Sequence, residues 1–156
     1  TVLGGGRSGR LYEQVVRQQQ LATGVSAGRG ESRGPGLFQF GIAAAPAKNP
    51  ADAEAAVYAE VEKVKKDGIQ QWELDKARSA ARRGMVAGQT SSLTRAVLLS
   101  QYALFYNDPE RINKRAARID AVTLADVQRV ANTYLNANNR SVVTTTPKAM
   151  ARPGGQ

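Results

Sequence analysis

The sequence contains neither histidine nor cysteine, and each absence closes a route to function. Without cysteine there is no disulfide and no thiolate nucleophile, and the redox compartment is left open. Without histidine there is no imidazole base and no Ser-His-Asp triad. Zinc favours sulfur and nitrogen donors, and this chain has neither the thiolate nor the imidazole to offer. Aromatic residues are sparse at 6%, and no apolar run approaches the roughly 20 residues that span a bilayer. No membrane partner is expected. The acidic residues are scattered over helix faces, with no paired carboxylates for acid–base work. The chain alone is therefore expected to have no catalytic residues, no metal site and no cofactor.

What is present suits one globular domain. The 156 residues are 42% apolar and 22% charged, enough to bury a core. Lys and Arg number 22 against 13 Asp and Glu, a formal charge of +9, which invites a nucleic-acid partner. The densest basic stretch, Lys76 to Arg83, has no interleaved aromatics and no helix-turn-helix or RNP pattern. It reads as a solvated helix face, so a basic nucleic-acid module is only a remote alternative. The chain opens on Leu3-Gly4-Gly5-Gly6 without an initiator Met, and a glycine run leading into a helix normally follows another element. The expectation is an N-terminally truncated piece of a larger protein.

Periodicity then orders the elements. Leu11, Val15, Gln18 and Leu21 share one face of a helix over 10–21. Alternation over 23–29 and again through Phe38, Phe40, Ile42 and Ala44 predicts a β-hairpin around a turn at Glu31 to Gly36. Asn49-Pro50 starts a helix with an inward stripe of Ala53, Val57, Val61 and Val64, ended by Gly68. A helix over 70–87 follows, with Leu74, Ala77, Ala81 and Met85 facing inward. The stretch 93–106, apolar on nearly every side, predicts a buried helix, and Trp72, Tyr102, Phe105 and Tyr106 are expected in the core. Asp108-Pro109 opens a short helix carrying Ile112, Ala116 and Ile119. Thr123-Leu124-Ala125-Asp126 has the form of a capping box. Residues 141–146 predict a returning strand closed by Pro147. The fold class is α+β, an antiparallel or mixed sheet with helices packed on one face. Residues 1–147 form the domain and 148–156 a disordered tail.

The ordered set of motifs resembles the insulinase/pitrilysin family of zinc metallopeptidases, which includes the mitochondrial processing peptidase. The residues that carry the resemblance begin with Leu3-Gly4-Gly5-Gly6, Ser8-x-Arg10-Leu11-Tyr12 and Leu21-Ala22-x-x-Val25-Ser26-Ala27. Phe105-Tyr106-Asn107-Asp108-Pro109-Glu110 is similar to the family's middle. Val122-Thr123-x-x-Asp126-Val127-x-x-Val130-Ala131-x-x-Tyr134-Leu135, Asn139-Arg140-Ser141-Val142-Val143 and Pro147 look like its closing helix and strand. The family builds its enzyme from two similar halves. One carries an inverted zinc motif, His-x-x-Glu-His. The other has the same fold without metal ligands and closes the chamber around the substrate.

The resemblance implies that a chain without histidine is the non-catalytic C-terminal half, with zinc expected in a catalytic half or sister subunit. It implies a peptide substrate and, by family habit, the bacterial periplasm; a homo-oligomer stays open. In active members this half sends an Arg and a Tyr towards the zinc site to steady the oxyanion, a task for preorganised donors. Arg17 stands where that Arg would be, and Thr23, with a shorter reach, stands at the Tyr position. Gly4, Gly5 and Gly6 have two readings, a tight packed turn or a flexible loop that touches substrate. The hairpin edge could recruit an extended peptide. The alternative is a structural or assembly subunit of the same family without a proteolytic role.

Overall fold

The computed structural model describes residues 2–30 and 34–146. Two strands, β1 (Ala22–Arg29) and β2 (Phe38–Ala44), form an antiparallel hairpin. Five helices follow: α1 (Pro50–Asp67), α2 (Gln71–Gly88), α3 (Ser92–Tyr106), α4 (Arg111–Asp120) and α5 (Leu124–Tyr134). Val25 pairs with Ile42 and Ala27 with Phe40. All four lie on one face and pack against the buried cluster of Leu11, Val15, Val57, Val61, Val64 and Ala131. Helices thus cover one side of an antiparallel sheet, the predicted α+β arrangement.

Local chemistry explains where the helices begin and end. The Asn49 side chain accepts the Ala51 N–H at 3.1 Å, Pro50 takes the first helical position, and Gly68 ends α1 with φ of 73°, a left-handed conformation that suits glycine. The predicted capping box at Thr123 and Asp126 forms in both directions. A second box forms at Gln70 and Glu73. Glu73 also receives Arg10 Nε and Nη2, both at 2.6 Å. This forked, charge-assisted contact ties the start of the chain to α2. Hydrogen bonding from Arg10 outweighs burial and holds the Glu73 carboxyl below its usual range.

Four expectations need correction. The first helix runs as a π-helix over Tyr12–Gln18, a wider winding that is uncommon outside single turns. Residues 141–146 form no strand. The two described strands pair with each other, so β-branched propensity finds no ladder to join. Arg140, just before, stacks over the Tyr58 ring at 3.9 Å. Trp72 is 62% exposed rather than core. The helix expected to be buried, α3, exposes Leu93, Val97, Leu99, Leu104, Phe105 and Tyr106 and buries only Tyr102, because its main neighbour is α4. Residues 31–33 of the hairpin turn, Pro147 and the expected tail at 148–156 lie outside the described residues.

Candidate functional site

The chain between Leu3 and Leu11 doubles back on itself. Gly6 donates to the Gly4 carbonyl at 2.9 Å, Arg10 to that of Val2 at 3.2 Å and Leu11 to that of Leu3 at 3.1 Å. Gly5, with φ of −75° and ψ of 55°, sits at the centre of an inverse γ-turn. Gly4 lies so close to β1 that a Cβ there would come within 2.1 Å of the Ala27 backbone nitrogen. Packing alone demands glycine at that position. Gly6 has φ of 76° and open space around it, so backbone conformation favours glycine there.

Arg17 lies in the last turn of the π-helix and is largely exposed, its Nη1 donating to Glu13 Oε2 at 3.0 Å. Leu21 N–H closes the helix on the Val15 carbonyl at 2.9 Å, and Gln20, with φ of 51°, turns the chain into β1. Thr23 follows at once, and it is the extra residue of a bulge: Ala22 faces Ala44 and Gly24 faces Ala43. Bulges aim a side chain out of the regular alternation and occur often beside functional sites. The Thr23 hydroxyl donates to the Ala43 carbonyl at 3.2 Å. Arg17 and Thr23 thus flank the junction where the helix gives way to the strand. Gly4 meets the strand four residues further along, at Ala27, a separation of roughly 13 Å. The candidate residues fall into two groups at opposite parts of β1.

The sequence lacks imidazole and thiolate donors, and no cluster of three carboxylates is found among the described residues. The basic stretch Lys76 to Arg83 is largely engaged internally. Lys76 donates to the Ser8 carbonyl, Arg78 to the carbonyls of Asp120 and Val122, and Arg82 pairs with Asp120 at 2.6 Å. Arg78 thereby satisfies carbonyls that the end of α4 leaves over. This clasp joins α2 to α4 and leaves little of the stretch for phosphate. A different basic group escaped the sequence reading: Arg111, Arg115 and Arg118, spaced i, i+4, i+7 on one face of α4, line a cavity against α3. That spacing was the signal that could have found them.

Comparison with known proteins places this geometry. Residues 1–81 match the model of the peptidase M16 inactive domain. An uncharacterized zinc protease of Mycobacterium tuberculosis is 30% identical over 136 residues, 87% of this chain and 31% of that protein. The chain thus spans about a third of the curated relatives it matches. The solved structure of a protease from Helicobacter pylori superposes with a TM-score of 0.80 at 26% identity, covering 88% of this chain and 33% of that one. An inactive peptidase domain from Bordetella parapertussis gives a TM-score of 0.79 at 30% identity, covering 90% and 75%.

Proposed function

The chain belongs to the peptidase M16 inactive-domain family, and from that premise we propose that it acts as the non-catalytic half of a zinc metalloendopeptidase, closing the substrate chamber and helping to hold the peptide. The observation that carries the reading is the β1–β2 hairpin. Its strands pair only with each other among the described residues, so the outer edges offer backbone donors and acceptors to an extended peptide. The metal and its His-x-x-Glu-His motif belong to a catalytic half or sister subunit, where zinc supplies the activated water.

The contribution of this chain is binding, orientation and exclusion of water. Arg17, steadied by Glu13, is the cation available to a developing oxyanion, and Thr23 on the adjacent bulge adds a short hydroxyl. Gly5 and Gly6 are the exposed members of the glycine turn and contribute backbone contacts, while Gly4 packs against β1. The apolar face of α3 supplies a surface for the partner half, since exposed apolar patches of this kind mark association sites.

The test is hydrolysis of a quenched fluorescent peptide by the catalytic half alone, this chain alone and the two mixed. Turnover should rise strongly only in the mixture, and the chain alone should contain no zinc by atomic absorption. Stoichiometric zinc in the chain, or a catalytic half indifferent to its presence, overturns the reading. Arg17→Gln should lower kcat by about a hundred- to a thousandfold in the mixture, as loss of an oxyanion donor does. One observation favours the assembly-subunit reading: the Thr23 hydroxyl is committed to Ala43. On that reading the two halves associate without a gain in rate.

A further inference from the structure

A cavity of about 410 Å³ opens between the end of β1 and the α3–α4 pair, within the usual size range of ligand pockets. Arg111, Arg115 and Arg118 enter it from α4 and Arg29 from the last position of β1, while Tyr102 and Tyr106 form the apolar wall. No carboxylate is among the described residues that line it. Asp108, Glu110 and Asp120 are near in sequence but none of them lines the cavity. Asp108 receives Lys114 at 3.2 Å and Asp120 receives Arg82. Like charges three and four residues apart on a helix oppose its formation only weakly, so the stripe carries a small cost to α4.

We propose that this cavity binds the acidic part of a peptide, a Glu or Asp side chain with an apolar neighbour. The inference rests on the peptide-binding reading above and gives it a substrate class. Arg111 lies over the Tyr106 ring, its central carbon 3.9 Å from the centroid. Stacking occupies the face of a guanidinium and leaves its N–H donors in the plane, where a carboxylate is held by a fork. Arg115 donates to the Tyr102 hydroxyl at 3.3 Å, which ties the buried wall residue to α4. Arg29 and Arg115 already have partners within the protein, so the donors to a ligand come from Arg111 and Arg118. A single cavity walled by tyrosines suits one side chain and its neighbour. A nucleic-acid backbone needs a continuous basic track, and the nearest extension, Lys76 to Arg82, is spent on the clasp between α2 and α4.

The test is fluorescence anisotropy at physiological salt, with the full chain and three labelled peptides that alternate Phe with Glu, Gln or Lys. The Glu peptide should bind about tenfold more tightly than the Gln peptide, and the Lys peptide should not bind. Arg111→Gln with Arg118→Gln should lose about tenfold in affinity for the Glu peptide. Arg83→Gln, exposed and outside the cavity, should leave affinity unchanged, with circular dichroism checking that each variant is folded. Equal binding of the Glu and Gln peptides, or full affinity in the double variant, overturns the cavity assignment while leaving peptide binding intact. Stronger competition by inorganic phosphate or a single-stranded oligonucleotide than by the Glu peptide also overturns it. Failure of all three peptides to bind sinks the peptide-binding reading as well.

Discussion

Helices α1 and α3 invert the usual link between apolar content and burial. In its eighteen residues α1 carries eight charged side chains, whereas the fifteen of α3 include only Arg95. Yet α1 buries Ala53, Ala56, Val57, Glu60, Val61 and Val64, and α3 buries Tyr102 alone. The difference lies in what surrounds each helix. The stripe of α1 meets the π-helix, β2 and α5, while α3 meets chiefly α4. Burial is decided by the neighbours the chain folds around a helix, and an apolar helix left half covered points to a neighbour of another kind.

The comparison can be broken from the core side first. Glu73→Gln removes the forked contact that joins Arg10 to α2 and leaves the guanidinium without its paired carboxylate. Loss of one partner from a buried pair costs 3–5 kcal/mol; with Arg10 23% exposed, the expected loss is about 3 kcal/mol, read from the urea midpoint. Gly4→Ala drives a Cβ against the Ala27 backbone and should cost up to about 3 kcal/mol. Gly28→Ala, on the same strand with open space around it, should change stability by less than about 0.5 kcal/mol. Equal effects of the two glycine substitutions would remove the packing account of the glycine turn.

The sharpest form sets Val57→Ala against Leu104→Ser. Val57 is 1% exposed and Leu104 74%. The first should cost about 2 kcal/mol through lost burial and a residual void, the second less than about 0.5 kcal/mol in the isolated chain. Leu104→Ser should instead weaken association with the catalytic half, measured by titration calorimetry. If it unfolds the chain as readily as Val57→Ala does, α3 belongs to the core and the contrast fails.

Much of this was legible in the residues, and the gaps have physical causes. Caps were readable because they are local: Asn49, Gly68 and the Thr123–Asp126 box act within a single turn. The hairpin and the inward faces of its strands were legible in the alternation of Val25, Ala27, Phe40 and Ile42, since side chains on a strand change face at every residue. The exposure of α3 and Trp72 could not be read locally, because periodicity reports which face is apolar and not what lies opposite. The absent strand at 141–146 failed for the same reason: propensity is satisfied only by a partner edge. At the candidate site, Arg17 and Thr23 were singled out by the family resemblance, but the bulge that holds Thr23 depends on β2. The cavity arginines are spread along α4 and stand out less in the sequence than the denser basic run, whose cations serve as ties between helices.

The smallest expected effect concerns α5, which belongs to the well-covered side through Ala131. The Thr123 side chain and backbone, with help from Arg129, hold the Asp126 carboxyl down from 3.8 to about 2. A carboxyl depressed in the folded state stabilises it above the unfolded value, and that contribution is lost as pH falls through the folded value. The window for this loss is therefore from about pH 4 down to about pH 2. Glu73, also depressed, adds acid sensitivity starting near the ordinary Glu range, so the contribution of α5 must be isolated by substitution. Asp126→Asn keeps the side-chain shape but cannot ionise, and urea midpoints for this variant should fall less steeply across that window than those of the native chain. Thr123→Ala removes the cap itself and should cost about 1 kcal/mol at neutral pH. Parallel acid limbs for the native chain and Asp126→Asn would show that the capping box contributes nothing through its charge, and that α5 is held to α1 by packing and by the Gln128 and Asn132 contacts to the Lys65 and Lys66 carbonyls.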